Sequence, residues 1–159
     1  MSYLDRVLEN ESENLKIPNP TELAKAKELT FTQTSGDGTY TGRIVVPAGS
    51  TILDVQVHGI VAWDASTSAS LVVGDVATAN GFFTATDLKV TDLLVGEANT
   101  IEHPGGKAGA YIGSEQRVLY SATERTIIGV VTQVGTGAAG RTRVLVIYVT
   151  PTPVAAVKA

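Results

Sequence analysis

The sequence predicts an all-β fold, a jelly-roll-like antiparallel sandwich of about eight strands with an N-terminal arm or short helix. Three observations carry this. Residues 29–150 consist of short β-branched runs separated by Gly, Pro, Asn and Asp turn residues, the spacing of sandwich strands. Within them, the long run Thr51 to Trp63 alternates: Val55, Val57, Val61 and Trp63 point one way and Asp54, Gln56 and His58 the other. Near the end, the runs Ile127–Val134 and Val144–Val149 are apolar at odd and even positions alike, so something must cover both faces of each. The chain divides into an arm over 1–28, partly helical, a sandwich over 29–150, and a small-residue tail over 151–159.

In the arm, Tyr3, Leu4, Val7 and Leu8 fall on one helical face, followed by Glu9, Glu11 and Glu13. Ile17-Pro-Asn-Pro20 stops any helix, because proline lacks an amide donor and restricts the residue before it. Thr21 to Lys27 has the pattern of a capped helical turn leading into the sheet. Tyr3, Leu4, Val7, Leu8, Leu15 and Ile17 are the anchors of an arm that would dock on a neighbouring subunit, against the alternative of a frayed terminus.

Leu29 and Phe31 alternate with threonines, Ser35 to Gly38 turns the chain into the strand Thr39–Val46, and Pro47-Ala-Gly49 turns it again. Gly59 is the expected bulge of the long third strand. Ser68 to Gly74 follows. Asn80-Gly81 marks a turn before Phe82 and Phe83, and Thr86 to Gly96 reads as a helical turn or a loop whose Leu88, Leu93 and Leu94 plug the sandwich. The stretch from His103 to Gly109 is loop by composition, and Ala110–Ile112 and Arg117–Ser121 read as strands. The last two runs read as a hairpin joined by Gly135-Thr-Gly137-Ala-Ala-Gly140, and Pro151-Thr-Pro153 ends the sheet.

That glycine run has dinucleotide-binding spacing and follows a strand, but the motif works only where it opens a helix that receives the pyrophosphate. Here it opens Arg141 to Val149, a strand by composition, and no acidic residue stands about 20 positions further on. The glycines therefore read as loop geometry. Gly105-Gly-Lys107 lacks both the earlier glycine and the Ser or Thr of a phosphate loop.

With 159 residues, the chain is one domain's worth of sequence. No cysteine is present, which excludes a disulfide framework, a thiolate zinc site and a cysteine nucleophile. The net charge of −4 comes without a basic cluster, so nucleic-acid binding is not expected. The apolar runs are strand-sized, and the N-terminus lacks the basic and apolar blocks of a signal peptide; a soluble, cytoplasmically made protein with no membrane association is expected. Only 18% of residues are charged, and so broad an uncharged surface points to an oligomer or a larger assembly.

No residues assemble on paper into a catalytic or cofactor site. His58 and His103 have no partner at ligand spacing, so no metal is expected. Asp64, Asp75, Asp87, Asp92 and Glu97 follow no calcium-loop spacing and read as solvated turn formers rather than a paired-carboxylate site. Trp63 sits in phase with the core-facing valines, and its place is in the core rather than under a sugar.

Three stretches taken together carry a family resemblance: Thr39-Tyr-Thr-Gly-Arg-Ile-Val-Val-Pro-Ala-Gly49; Trp63 to Asp75 with Gly81-Phe-Phe-Thr-Ala-Thr-Asp-Leu88; and Arg141 to Val149. Over residues 39–150 the chain resembles small β-rich head proteins of tailed bacteriophages, among them cement or decoration proteins. The resemblance implies a non-enzymatic virion protein, made in the host cytoplasm, that binds the capsid exterior. It further implies the major capsid protein as partner, self-association as a homotrimer, and no cofactor. The rival is a glycan- or receptor-binding sandwich of a fibre or tail component, with a glycan hydrolase using loop carboxylates third.

Overall fold

The computed structural model describes residues 24–90, 99–101, 107–112 and 119–151. The arm anchors Tyr3, Leu4, Val7, Leu8, Leu15 and Ile17 lie outside the described residues, as do Leu93, Leu94, Asp92, Glu97 and His103. Among the described residues the chain forms nine strands: β1 (Lys25–Thr32), β2 (Gly38–Val46), β3 (Ser50–Val61), β4 (Ser68–Asp75), β5 (Phe83–Asp87), β6 (Asn99–Thr100), β7 (Tyr120–Ser121), β8 (Arg125–Val134) and β9 (Arg141–Val149).

The pairing explains the architecture. β1 pairs with β9, β2 with β8, β3 with β6 and β7, and β4 with β5, all antiparallel, so the first half of the chain lies along the second as one long folded ribbon. The ribbon then wraps on itself: β9 also pairs with β3, and β8 with β4. Two sheets result, one in the order β1-β9-β3-β6 with β7 beside β3, the other β2-β8-β4-β5. This is a jelly-roll sandwich, as the composition predicted.

Val55, Val57, Val144, Val146 and Tyr148 of the first sheet face Ile44, Val46, Leu71, Val73, Ile127 and Val131 of the second, all buried. Each fully buried aliphatic or aromatic side chain contributes about 1.5–3 kcal/mol, and this layer is the main source of stability. Trp63, Phe82, Phe83 and Leu88 complete the core. Trp63 is in the core as expected: its indole N–H donates to Thr142 Oγ1 at 2.8 Å, and Tyr40 meets its ring edge-on at 5.4 Å.

The structure corrects the sequence reading at several points. The hairpin is the largest: β8 and β9 are not paired with each other but lie centrally in opposite sheets, and the glycine-rich link crosses between them. A strand with two apolar faces suits the middle of either sheet, so local pattern cannot tell a hairpin turn from a crossing. Lys25 to Lys27, expected in a helical turn, pair with Tyr148, Ile147 and Val146 instead, because a ladder bond partner outweighs a weak local preference. Gly59 does mark a bulge, with the register shifting between Gly59 and Val61. That extra residue reverses the alternation, so Val61 is 41% exposed rather than buried with Val57. Ala110 to Ile112 form a turn, and Thr86 and Asp87 belong to β5.

Candidate interaction surfaces

No helix among the described residues is long and apolar enough to cross a membrane, and no group of three or more His, Asp or Glu side chains there could hold a metal ion. The functional features are two hydrogen-bonded clamps at the ends of strands and the two outer faces of the sandwich.

The first clamp is the glycine-rich crossing. Five successive or near-successive amides of the loop donate to the chain's own side chains: Gly135 to Asp37 Oδ1, Thr136 to Ser66 Oγ, Ala138 and Ala139 to Asp64 Oδ1, and Gly140 to Gln33 Oε1. A phosphate-binding loop needs such amides open to an anion; here side-chain oxygens, two of them carboxylate, already occupy them. Gly135 sits at φ 91°, which an L side chain rarely adopts. A Cβ at Gly140 would collide with the Trp63 ring, and one at Gly137 would lie 2.6 Å from Oδ1 of Asp64. The glycines therefore serve close packing, in agreement with the loop reading, and Asp64 is the acid that holds the middle of the loop.

The second clamp corrects the view of Asp75 as a solvated turn former. Its carboxylate is 8% exposed and pairs with Arg125 Nη2 at 2.7 Å and Nε at 2.8 Å. Oδ1 accepts from the Ala77 and Thr78 amides, closing the turn after β4, and from the Tyr111 hydroxyl at 2.8 Å. The guanidinium stacks over the Tyr111 and Phe82 rings at 5.1 and 5.3 Å. Burial alone would raise the Asp75 pKa; the Thr78 amide, the Tyr111 hydroxyl and Arg125 together outweigh it and hold the carboxyl below the usual range. Asp75 and its neighbours Val76, Tyr111, Tyr120, Glu124 and Arg125 line an open recess of about 400 Å³. Sequence offered one sign of this, the Asx-turn pattern Asp75-x-x-Thr78; the Arg125 partner, 50 residues away, was invisible.

The outer faces are where the two-sided apolar strands matter. On the second sheet, Ile128 and Val130 of β8 and Val72 of β4 are half-buried, flanked by Thr41, Thr132 and Ser70, with Arg43 and, opposite Ser70, Asp87 among the outward charges. On the first, the register sets residues in rows. Tyr120, Thr51 and Val149 form one row; Asp54, Ile147 and Ala26 the next; Gln56, Leu145 and Glu28 the third. His58, Arg143 and Thr30 follow. Leu53, the extra residue of a second bulge, is 46% exposed beside Ile147, and Tyr120 is 51% exposed.

This face is apolar at the Val149 end and polar at the other. In the polar part, Gln56 donates to Asp54 at 2.7 Å, His58 Nε2 lies 3.0 Å from Gln56 Oε1, and Arg143 meets Glu28 at 3.7 Å. Because the Gln56 amide nitrogen is spent on Asp54, its oxygen accepts from His58 Nε2–H, leaving Nδ1 unprotonated. Burial first, then Arg143, lower the His58 pKa against the opposing pull of Asp54, so the ring is neutral at pH 7.

No family model and no curated protein matches the chain. A chain in the cyanophage Pam1 capsid asymmetric unit is similar in structure, at 20% identity and a TM-score of 0.51, covering 81% of this chain and 84% of that one. A chain in the acidic stable capsid of Helicobacter pylori bacteriophage KHP30 is similar at 15% identity and a TM-score of 0.48, covering 79% and 95%. The Pam1 likeness is one of fold, and it runs through most of both chains.

Proposed function

We propose that this chain is a phage virion structural protein that binds the outer surface of the capsid shell and stabilises it as a cement protein. The observation that carries the reading is the shared jelly roll with a chain of a phage capsid asymmetric unit, extending over most of both chains. The half-buried apolar outer stripes on both sheets support it, because such faces gain most when another surface covers them. The Asp64 and Asp75 clamps serve rigidity rather than turnover in this reading, and the protein is not an enzyme. The partner is the major capsid protein, the copies associate as a homotrimer on the particle exterior, and residues 1–28 act as a contact arm through Tyr3, Leu4, Val7, Leu8, Leu15 and Ile17. Many weak copies then hold adjacent shell subunits together by multivalency.

Cosedimentation with expanded shells of the cognate phage tests the proposal. The full chain should pellet with shells, and a form lacking residues 1–20 should pellet more weakly while keeping its melting transition. A full chain that stays in the supernatant at every shell concentration would rule the cement role out.

A further inference from the structure

We infer that the outer face of the second sheet is a two-fold, self-complementary contact that joins two copies of this chain. The inference goes beyond the cement reading and does not depend on a three-fold assembly.

The register fixes the face. Three rows run across it: Arg43, Ile128 and Gly74; Thr41, Val130 and Val72; Thr39, Thr132, Ser70 and Asp87. Residues of the opposite phase, Ile44, Leu71, Val73, Ile127 and Val131, fill the core, so these positions face outward. Ile128, Val130 and Val72 are half-buried at the centre, and Val45 extends the apolar part beside Arg43. Arg43 and Asp87 are the two charges in the three rows. Arg43 makes no ion pair among the described residues, and the Asp87 carboxylate accepts the Lys89 amide at 2.9 Å. The flanking charges Asp37 and Lys89 are engaged within the chain, by the Gly135 amide and the Thr67 carbonyl.

The placement of the two charges selects a second copy. Arg43 on β2 and Asp87 on β5 stand at opposite corners, about 14 Å apart across the strands and about 14 Å apart along them. The midpoint of that diagonal falls between Val130 and Val72. A two-fold axis in the plane of contact, through the midpoint and at about 45° to the strands, brings Arg43 of each copy onto Asp87 of the other. It also stacks the valines of both copies at the centre. The strands of the two copies then cross at near right angles, one of the two ways in which sheets pack face to face. Four strands and the rows along them cover about 500 Å² per copy, or about 1,000 Å² in all, the lower end of a specific interface. On the first sheet's outer face the charges are paired within the chain instead, Arg143 with Glu28 and Asp54 with Gln56, and leave no such complement.

Charge exchange in the full chain tests the contact. Arg43→Glu alone and Asp87→Arg alone each turn both ion pairs into like charges, and each should weaken self-association by about tenfold or more in sedimentation equilibrium. Mixed in equal amounts, the two variants should recover it. In a mixed pair the introduced glutamate of one copy meets the introduced arginine of the other, while the native Arg43 and Asp87 meet at the second contact. A further readout leaves both charges in place. Thr39 lies on the axis, and the chain has no cysteine, so in Thr39→Cys a short bismaleimide should join the residue to its own counterpart. The yield should exceed that of Leu53→Cys, an exposed position on the other sheet, by on the order of tenfold. Equal cross-linking at the two positions, as expected if a different protein covers this face, or a mixture that associates no better than its components, would overturn the inference.

Discussion

Replacing Asp75 by asparagine removes the charge from a buried ion pair while keeping the side chain's shape. The asparagine side-chain oxygen can still accept from the Ala77 and Thr78 amides, so the turn after β4 survives. What is lost is the charge that Asp75 presents to Arg125, whose side chain is only 12% exposed. Breaking a buried ion pair from one side costs about 3–5 kcal/mol. The Phe82 and Tyr111 rings keep about 1 kcal/mol of cation–π attraction, so the net expectation is about 3 kcal/mol. For a chain of this length that lowers Tm by roughly 6–12 °C. Arg125→Met combined with D75N removes both charges and should recover at least half of the loss, since replacing both members of a buried pair costs far less than breaking it from one side. The assay is thermal or urea unfolding of the four members of the cycle at one protein concentration, because assembly would shift Tm by mass action. The pH dependence adds a second readout. The folded Asp75 carboxyl has a pKa below its unfolded value, so its contribution is fully present above the unfolded pKa and disappears as pH falls through the folded one. The wild-type protein should lose stability across that acidic window, and D75N should be flatter there. A single-mutant cost below about 1 kcal/mol, or a double mutant as unstable as the singles, would refute the role assigned to the pair.

Gly140→Ala places a methyl group against the Trp63 ring and should cost about 1–3 kcal/mol in urea unfolding, whereas a helix-opening phosphate loop would show no such packing penalty. Trp63→Phe strands the buried Thr142 hydroxyl and should cost about 1–3 kcal/mol; a change confined to glycan binding, with unaltered stability, would contradict the core placement. Asp64→Ala frees the Ala138 and Ala139 amides and should raise the hydrogen-exchange rate of the 135–140 loop without unfolding the sheets. His58 has a folded pKa below its unfolded value, so protonation favours the unfolded chain: stability should fall as pH drops from above about 6.5, and His58→Gln should remove that component from a pH titration of Tm.

The fold class was legible because it rests on repeated local signals: β-branched runs, turn residues at Gly36 and Gly49, and the alternation of β3 up to its bulge. Trp63 was legible as a core residue from its size, but not from its phase with Val55 and Val57: the bulge turns Val61 outward, and Trp63 is buried from a position beyond the end of β3. The Asp75–Arg125 pair and the Asp64 clamp were not. They join residues 50 and 74 positions apart, and no local pattern encodes a partner at that separation. The arm, for which sequence supplied the named anchors, lies outside the described residues.

By itself the sequence determined that the chain is a β-sandwich, that Ile127–Val134 and Val144–Val149 are central strands, and that the glycine run between them is a loop. Each of these follows from side-chain type and period over a few residues, where sterics and solvation act. Only the tertiary structure decided that the two strands belong to opposite sheets and that the loop crosses the sandwich with its amides closed by Asp37, Asp64 and Gln33. Ladder bonds are identical whichever strand supplies them, so partner choice depends on how the whole ribbon wraps to bury its core.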